Sequence, residues 1–178
     1  MIYLDNAAST AVHPEVVKEM LPYFDIQYGN PSSIHQFGRK AKNAIQKARK
    51  QVAALIGAEP DEILFTSGGT ESNNTILYGI PKLHEITHVD FDIGNNHAIT
   101  SSIEHEAILE PCKKLEEMGF KVTYISVDEY GAVDSNSIAD SITENTVLVS
   151  IMFANNEVGT IPVSYTHLRA HETEADLV

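Results

Sequence analysis

The chain is short of cationic side chains and of cysteine. Among its 178 residues there are 12 Lys and Arg against 25 Asp and Glu, a formal net charge of -13. Because an acidic chain repels phosphate backbones, this balance disfavours nucleic-acid binding by the domain as a whole. The single cysteine, Cys112, excludes an internal disulfide framework and a Cys-x-x-Cys metal site. It suits a reducing compartment, so we expect a cytoplasmic protein.

Long hydrophobic runs are also missing. No apolar run approaches the roughly 18 residues that a membrane span needs. The first five residues contain no basic region followed by an apolar stretch, so no secretory signal is predicted. With 43% hydrophobic and 21% charged residues, the composition is typical of a globular domain. The length suits one α/β domain, at a prior of roughly 150 residues per domain.

Apolar patterning predicts helices and strands in alternation. Helices are expected over 13–24, 33–56, about 70–80, 105–118 and 135–142. Short apolar runs predict four strands, at Ile63–Thr66, Ala98–Ser101, Val122–Val127 and Thr146–Phe153. Residues 25–32 are a predicted loop, and the less regular stretch 81–97 is expected to contain a surface loop. The alternation indicates an α/β fold with a partial, doubly wound, mostly parallel sheet and flanking helices.

A glycine-rich turn at residues 65–73 follows one predicted strand and opens a predicted helix. Free N–H groups and the positive end of a helix dipole make such a turn a phosphate site. Gly68 and Gly69 allow close approach, and the hydroxyls of Ser67 and Thr70 add donors. Neither the P-loop nor the dinucleotide pattern is present. A plain strand-to-helix turn with Thr70 as its cap is the alternative.

Two further polar segments follow predicted strands, where α/β proteins place their ligands. His105 could stack on a planar cofactor or move a proton, or it could only cap or pack the next helix. Asn155 and Asn156 could hold a carboxylate or a cofactor hydroxyl, or they could form a plain turn. The residues of each segment alone do not distinguish between these alternatives.

Histidine and cysteine give no metal motif. Among the eight histidines, two pairs have i, i+4 spacing, at 84–88 and 167–171, but neither pair has a matching Glu or Cys arrangement. We therefore predict no metal site. Cys112 lies on the helical face of Ile108 and Leu115, which favours a small core residue over a catalytic thiol.

Five segments together resemble one family, the cysteine desulfurases. They are residues 3–10, 29–35, 65–74, 103–109 and 149–160, and they follow in order over residues 2 to about 162. These enzymes are class V, fold-type I pyridoxal-phosphate proteins. The resemblance therefore implies the fold-type I large domain, incomplete here, and pyridoxal 5'-phosphate as cofactor.

The resemblance also implies site residues. Gly69 and Thr70 are expected to hold the phosphate group of the cofactor. His105 is expected to stack on the pyridine ring and, as the catalytic candidate, to take part in proton transfer. Asn156 is expected beside the ring and the substrate carboxylate.

The reaction and partners implied are those of the family. L-Cysteine would give L-alanine and an enzyme persulfide for iron–sulfur cluster or thio-cofactor assembly. The implied partners are a second copy of the chain and a sulfur-acceptor or scaffold protein. A selenocysteine lyase is a related alternative, and a phosphate-binding α/β domain of unrelated function is another.

Several family motifs are not found in the sequence. The His-Val-Asp-Ala aspartate, the Ser-x-His-Lys lysine, the sulfur-carrying cysteine and a substrate-binding arginine have no counterpart at the expected positions. His88-Val89-Asp90 imitates the first motif but precedes His105, so it is not a substitute. This favours a further alternative, a catalytically incompetent truncated chain with at most weak binding of pyridoxal phosphate or phosphate.

The resemblance suggests three regions. Residues 1–32 form an N-terminal segment with loops, and 33–162 are the N-terminal part of the cofactor-binding large domain. Residues 163–178 lose the family pattern and are expected to be foreign sequence, from a frameshift or an adapter junction. We expect the chain to be part of a larger protein.

Overall fold

A computed structural model describes residues 2–87 and 96–163, with the backbone alone over 80–87. The chain divides into two compact units, Met1–Phe65 and Thr66–Val178. The predicted tail lies almost wholly outside the described residues. None of the described helices has the length and apolar character needed to cross a membrane.

The first unit is helical. It contains α1 (Pro14–Met20), α2 (Pro22–Asp25), α3 (Gln36–Ile56) and a 3-10 turn (Pro60–Glu62). The helix predicted over 13–24 is therefore two helices, divided at Leu21. Pro22 explains the division, because proline has no N–H with which to continue the hydrogen bonding of α1.

Helix α3 packs on the loop before it through two glycines. A Cβ on Gly38 would lie 2.1 Å from the carbonyl oxygen of Ser33, and one on Gly29 would lie 2.5 Å from that of Phe37. Only glycine fits at these contacts. The helix ends at Gly57, whose φ of +72° is the usual left-handed termination.

The predicted apolar face of α3 is only partly buried. The buried residues are Gly38, Ala41 and Ala53, all small. By contrast, Ile34 is 91% exposed and Leu55 is 84% exposed. The described part of the chain thus leaves most of this face in contact with solvent.

The strand predicted at Ile63–Thr66 is wrong. The segment forms no strand and pairs with no strand among the described residues. It is held instead by Arg49, which donates to the carbonyl of Ile63 and lies 5.0 Å from the ring centre of Phe65. Apolar β-branched residues favour an extended backbone, but a strand also needs a paired neighbour.

The second unit contains a three-stranded parallel sheet. Its strands are β1 (His97–Ser101), β2 (Lys121–Ile125) and β3 (Thr146–Ser150), in the order β2-β1-β3. The other three predicted strands are thereby confirmed, with shifted ends. The parallel sheet and its flanking helices confirm the predicted α/β fold class.

Three helices accompany the sheet: α4 (Gly69–Thr87), α5 (Glu106–Glu117) and α6 (Ser135–Ser141). Helix α4 extends to Thr87, beyond its predicted end at about residue 80, and β1 begins at His97. The Lys-Leu-His-Glu run after Pro81 contains good helix formers. Residues 88–95 lie outside the described part.

Helices cover both faces of the sheet. On one face, Leu77 of α4 and Ile108, Cys112 and Leu115 of α5 form a core with Val122 and neighbouring sheet residues. On the other face, Ile99, Ile125 and Val133 form a core against Ile138 of α6. This layering makes the sheet doubly wound.

A buried histidine joins the three strands at their amino ends. His97 is 3% exposed. Its Nδ1 lies 2.8 Å from the Thr146 hydroxyl and its Nε2 lies 2.8 Å from the Thr123 hydroxyl. Burial, and then the charge of Lys121, lower the pKa of this imidazole.

Candidate functional site

The strand order creates a ligand crevice. From β1 the chain crosses to β2 on one side and later returns to β3 on the other. At such a switch point the loops after β1 and β3 diverge and leave a crevice at the carboxyl ends of the strands. His105 lies in the loop after β1, and Asn156 lies in the loop after β3.

A cavity of about 730 Å³ occupies this crevice. The loops that follow all three strands line it, and both His105 and Asn156 are on its wall. Four exposed acids also line it: Glu106, Asp128, Glu129 and Glu157. The cavity therefore presents an imidazole and an amide within a negatively charged rim.

A second cavity, of about 600 Å³, lies between α4 and α5. Thr70 and His105 both line it. Because the two cavities share His105 and Glu106, they adjoin one another. The structure thus brings Thr70, His105 and Asn156 to the border of neighbouring spaces, with His105 in the middle.

The glycine-rich turn has unpaired donors at the start of α4. Among the described residues, no acceptor pairs with the N–H groups of Gly69, Thr70 and Glu71. The Ser72 N–H already bonds to the Gly68 carbonyl at 3.1 Å. Unpaired N–H groups and the helix dipole suit this turn to an anion.

Not every predicted donor of the turn is available. The Ser67 N–H donates to the Glu71 carboxylate at 2.6 Å. Hydrogen bonds from the Ser67 side chain and backbone lower the pKa of Glu71, so that carboxylate stays charged. The predicted hydroxyl donor at Ser67 is therefore held by Glu71, whereas Gly69 and Thr70 stay open.

Thr70 is not the cap of α4. It is the second residue of the helix, and its hydroxyl has no partner among the described residues. The Thr66 hydroxyl instead lies 2.7 Å from that of Ser72 and bonds to the Gly68 carbonyl. A Cβ on Gly68 or Gly69 would meet nothing within 4 Å, so the chain's own packing does not require glycine there.

His105 both caps a helix and lines the cavities. Its Nδ1 accepts the Ala107 N–H at 3.0 Å, at the start of α5. In the neutral ring this leaves the hydrogen on Nε2. Capping uses one nitrogen and leaves the ring face and Nε2–H exposed, so the cap does not exclude a ligand contact by this residue.

The two adjacent asparagines differ completely. The Asn155 side chain donates to the Ile103 carbonyl at 3.1 Å and accepts the N–H groups of Glu157 and Val158. The Asn156 side chain is exposed on the cavity and has no partner among the described residues. Asn155 thus holds the loop, and Asn156 is available to a ligand.

Glu104 also belongs to the site, although the sequence analysis did not single it out. It is 7% exposed, and its Oε1 accepts the Met152 N–H at 2.6 Å and the Ser101 hydroxyl at 3.1 Å. Burial raises the pKa of this carboxyl, against the effect of the two hydrogen bonds. Its position directly before His105 was the available signal.

Cys112 lies in the core, as predicted. It is 1% exposed, and burial together with Glu116 and Glu104 raises the pKa of its thiol to about 11. Such a thiol is not a nucleophile near neutral pH. Within residues 2–87 and 96–163, no group of three His, Cys, Asp or Glu could hold a metal ion.

These features define a doubly wound α/β domain with a ligand site at a strand switch point and an open helix start beside it. The chain belongs to the aminotransferase class-V family, whose model matches residues 2–178. This confirms the family resemblance predicted from the five sequence segments.

The chain is similar to proteins named as cysteine desulfurases. It is 51% identical over 160 residues to the cysteine desulfurase IscS of Methanosarcina thermophila. The aligned region covers 90% of this chain and 38% of the relative. The chain is 48% identical over 160 residues to the cysteine desulfurase IscS of Dictyoglomus turgidum, covering 39% of the relative. The chain therefore spans about 40% of the length of these curated relatives.

Solved structures agree with this similarity. A NifS-like protein matches with a TM-score of 0.84 and 42% identity, over 94% of this chain and 44% of its own. A structure described as SspA in complex with cysteine matches with a TM-score of 0.80 and 40% identity, over 89% of this chain and 44% of its own.

Proposed function

We propose that this chain is the cofactor-binding part of a pyridoxal-phosphate-dependent cysteine desulfurase. The whole protein would take sulfur from L-cysteine, leaving L-alanine, and pass it as a persulfide towards iron–sulfur clusters or thio-cofactors. One observation carries the proposal: Thr70, His105 and Asn156 border two adjoining cavities at the switch point of the sheet. The complex of a structural relative with cysteine supports this choice of substrate.

The donor chemistry of the site fits pyridoxal phosphate. The open N–H groups of Gly69 and Thr70, with the Thr70 hydroxyl, would hold the phosphate. The exposed His105 ring would stack on the pyridine ring, and its Nε2–H would be placed for proton transfer. Asn156 would donate to the substrate carboxylate. When bound, the cofactor supplies an electron sink for chemistry at the amino acid.

The charge of the larger cavity fits an amino-acid substrate. Four carboxylates on its rim favour a positively charged group, and an amino acid carries an ammonium group beside its carboxylate. The anionic end of the ligand would lie instead at the start of α4, where the helix dipole favours negative charge. The proposed site thus places the phosphate at the open start of α4 and the ammonium group towards the acidic rim, with Glu106 bordering both cavities.

Calorimetric titration with pyridoxine 5'-phosphate tests the phosphate site. This probe has no aldehyde, so it cannot react with surface lysines. We expect it to bind the 178-residue chain more tightly than pyridoxine does. Thr70→Val should weaken its binding roughly 3- to 10-fold, the effect of one lost hydrogen bond, and leave pyridoxine binding unchanged.

Thr75→Val is the matched control for that substitution. It makes the same chemical change one turn later on α4, where the hydroxyl donates to the Glu71 carbonyl at 2.7 Å. Equal affinities for pyridoxine and its phosphate, or equal losses in the two variants, would reject the phosphate site at the start of α4.

We further propose that the 178-residue polypeptide alone does not release sulfur. No lysine in the sequence stands in a Ser-x-His-Lys context, and Cys112 is a buried core thiol. We expect sulfide formation from L-cysteine at the rate of free pyridoxal phosphate alone, measured with and without the chain. A rate clearly above that background would show that another residue of this chain supports the chemistry.

A further inference from the structure

Glu104 joins the two loops that carry the proposed site residues. Its Oε1 accepts the Ser101 hydroxyl within the β1 loop and the Met152 N–H across the crevice, at 3.1 and 2.6 Å. A reciprocal bond runs the other way, from Asn155 Nδ2 to the Ile103 carbonyl at 3.1 Å. The β1 and β3 loops are thus linked by two side chains, one from each loop.

These links lie immediately beside the ligand-facing residues. Glu104 precedes His105, and Asn155 precedes Asn156. A shift in either link would therefore move the imidazole relative to the amide. A hydrogen bond to a carboxylate is stronger than one to a neutral acceptor, and the 2.6 Å contact with Met152 is at the short end for an amide donor.

We propose that Glu104 is a positioning residue that sets the spacing of His105 and Asn156 across the crevice. This inference rests on the proposed function for its purpose, because that spacing matters only if one ligand contacts both residues. Its physical content, the mechanical coupling of two loops through one carboxylate, can be tested without a ligand.

The first test is an NMR titration of the wild-type protein, so it does not require that a variant folds. In ¹⁵N-labelled chain the Met152 amide resonance should follow the titration of Glu104, at a midpoint above that of an ordinary glutamate. We expect the Asn156 side-chain amide and the His105 ring to move with the same midpoint. The other titratable groups that line the crevice are His105, Glu106, Asp128, Glu129, Tyr130 and Glu157, and Cys112 lies behind it.

Glu104→Gln identifies which group is responsible. The Gln Oε1 keeps both accepted hydrogen bonds but does not titrate, so the shared midpoint should vanish. Binding of pyridoxine 5'-phosphate should stay within about threefold of wild type, because the two loops remain linked. Persistence of the common titration in Glu104→Gln would overturn the assignment.

Glu104→Met removes the acceptor while keeping the length of the side chain. We expect Met152 amide exchange to speed up at least about tenfold and pyridoxine 5'-phosphate binding to weaken about tenfold. Glu144→Met is the matched control, since Glu144 is exposed, lines neither cavity and makes no described bond to the β3 loop. Changes confined to Met152, with Asn156 and His105 unmoved, would refute the inference.

The two proposals fail in different ways. A wild-type chain that does not bind pyridoxine 5'-phosphate overturns the proposed function, while the resonance titration still decides whether Glu104 couples the loops. A chain that binds normally but shows no shared titration keeps the proposed function and overturns the role of Glu104.

Discussion

At the scale of single residues, neighbours in the sequence have separate roles. Asn155 and Asn156 are identical in chemistry, yet one holds the loop and the other faces the cavity. Glu104 and His105 divide in the same way, into a buried link and an exposed imidazole. In each pair, one side chain is bonded to the chain and the other is open to the cavity.

Alanine substitutions of the two asparagines should affect different properties, stability for Asn155 and ligand binding for Asn156. Asn155→Ala loses the loop hydrogen bonds and leaves two N–H groups without their acceptor, so we expect a loss of about 1–3 kcal/mol in the free energy of unfolding. Asn156→Ala should change stability by less than about 0.5 kcal/mol and weaken ligand binding. Urea unfolding measures the first effect, and calorimetry measures the second. Equal destabilisation by both would contradict the division of roles.

Cys112 should be unreactive in the folded chain. Its raised pKa of about 11 keeps the thiol protonated, and its burial blocks reagents. We expect a maleimide or disulfide reagent to label it at pH 7.5 only when urea unfolds the protein. Labelling at the rate of a free thiol in native buffer would show that the core around α5 opens readily.

At the scale of elements, His97 connects the three strands through two threonine hydroxyls. Its lowered pKa means that the folded state favours the neutral ring. The unfolded state therefore binds more protons between the folded pKa and the ordinary value of 6.5. The contribution of His97 to the free energy of unfolding is therefore full above this pH range and is lost as the pH falls through it.

Thermal unfolding at several pH values tests this role. His97→Asn should lower the melting temperature at pH 7.5, and the difference from wild type should shrink towards pH 5.5. His13→Asn is the control, because His13 caps α1 from an exposed position and asparagine also caps helices. A difference that stays constant with pH would exclude His97 as the titrating group.

The elements themselves could largely be predicted from the sequence. Apolar runs predicted β1, β2 and β3. The helical spacing of apolar residues predicted the middle of α3, and Gly57 predicted its end. Ile63–Thr66 was misassigned because its composition favours an extended backbone, whereas strand formation depends on a partner elsewhere. Helix α4 was predicted to end near residue 80 but continues past Pro81 to Thr87.

The candidate site was only partly predictable. Gly69, Thr70, His105 and Asn156 came from motifs that are local in the sequence. The position of Glu104 before His105 was a signal, but its contact with Met152 was not predictable from local patterns because it spans 48 residues. Local patterns indicate which residues follow a strand, but they cannot indicate which loops meet.

At the scale of the whole molecule, large apolar side chains remain exposed in both units. Ile34 and Leu55 flank or belong to α3 in the first unit, and Phe153, 77% exposed, follows β3 in the second. Exposed apolar patches of this kind bind other apolar surfaces or dyes. The net charge of -13 opposes association between copies but does not remove the patches.

Binding of Nile red, an uncharged dye, tests this exposure. We expect the chain to enhance the dye's fluorescence, and the double variant Ile34→Lys, Leu55→Lys to reduce that enhancement with unchanged circular dichroism. A second double variant, Lys40→Leu with Lys47→Leu, adds apolar side chains to the polar face of α3. We expect it to increase the fluorescence enhancement, so it is a control with the opposite sign. No difference among the three proteins would show that the α3 region is covered in solution.

The strand order also governs when the site can form during synthesis. β1 pairs first with β2, about 24 residues later in the chain, whereas the Thr100 contact with Ser150 spans 50 residues and the Asn155 contact with Ile103 spans 52. Until β3 emerges from the ribosome, β1 carries an unpaired hydrogen-bonding edge that other nascent chains can capture. The residues that would hold the ligand are therefore brought together only after β3 has been synthesised.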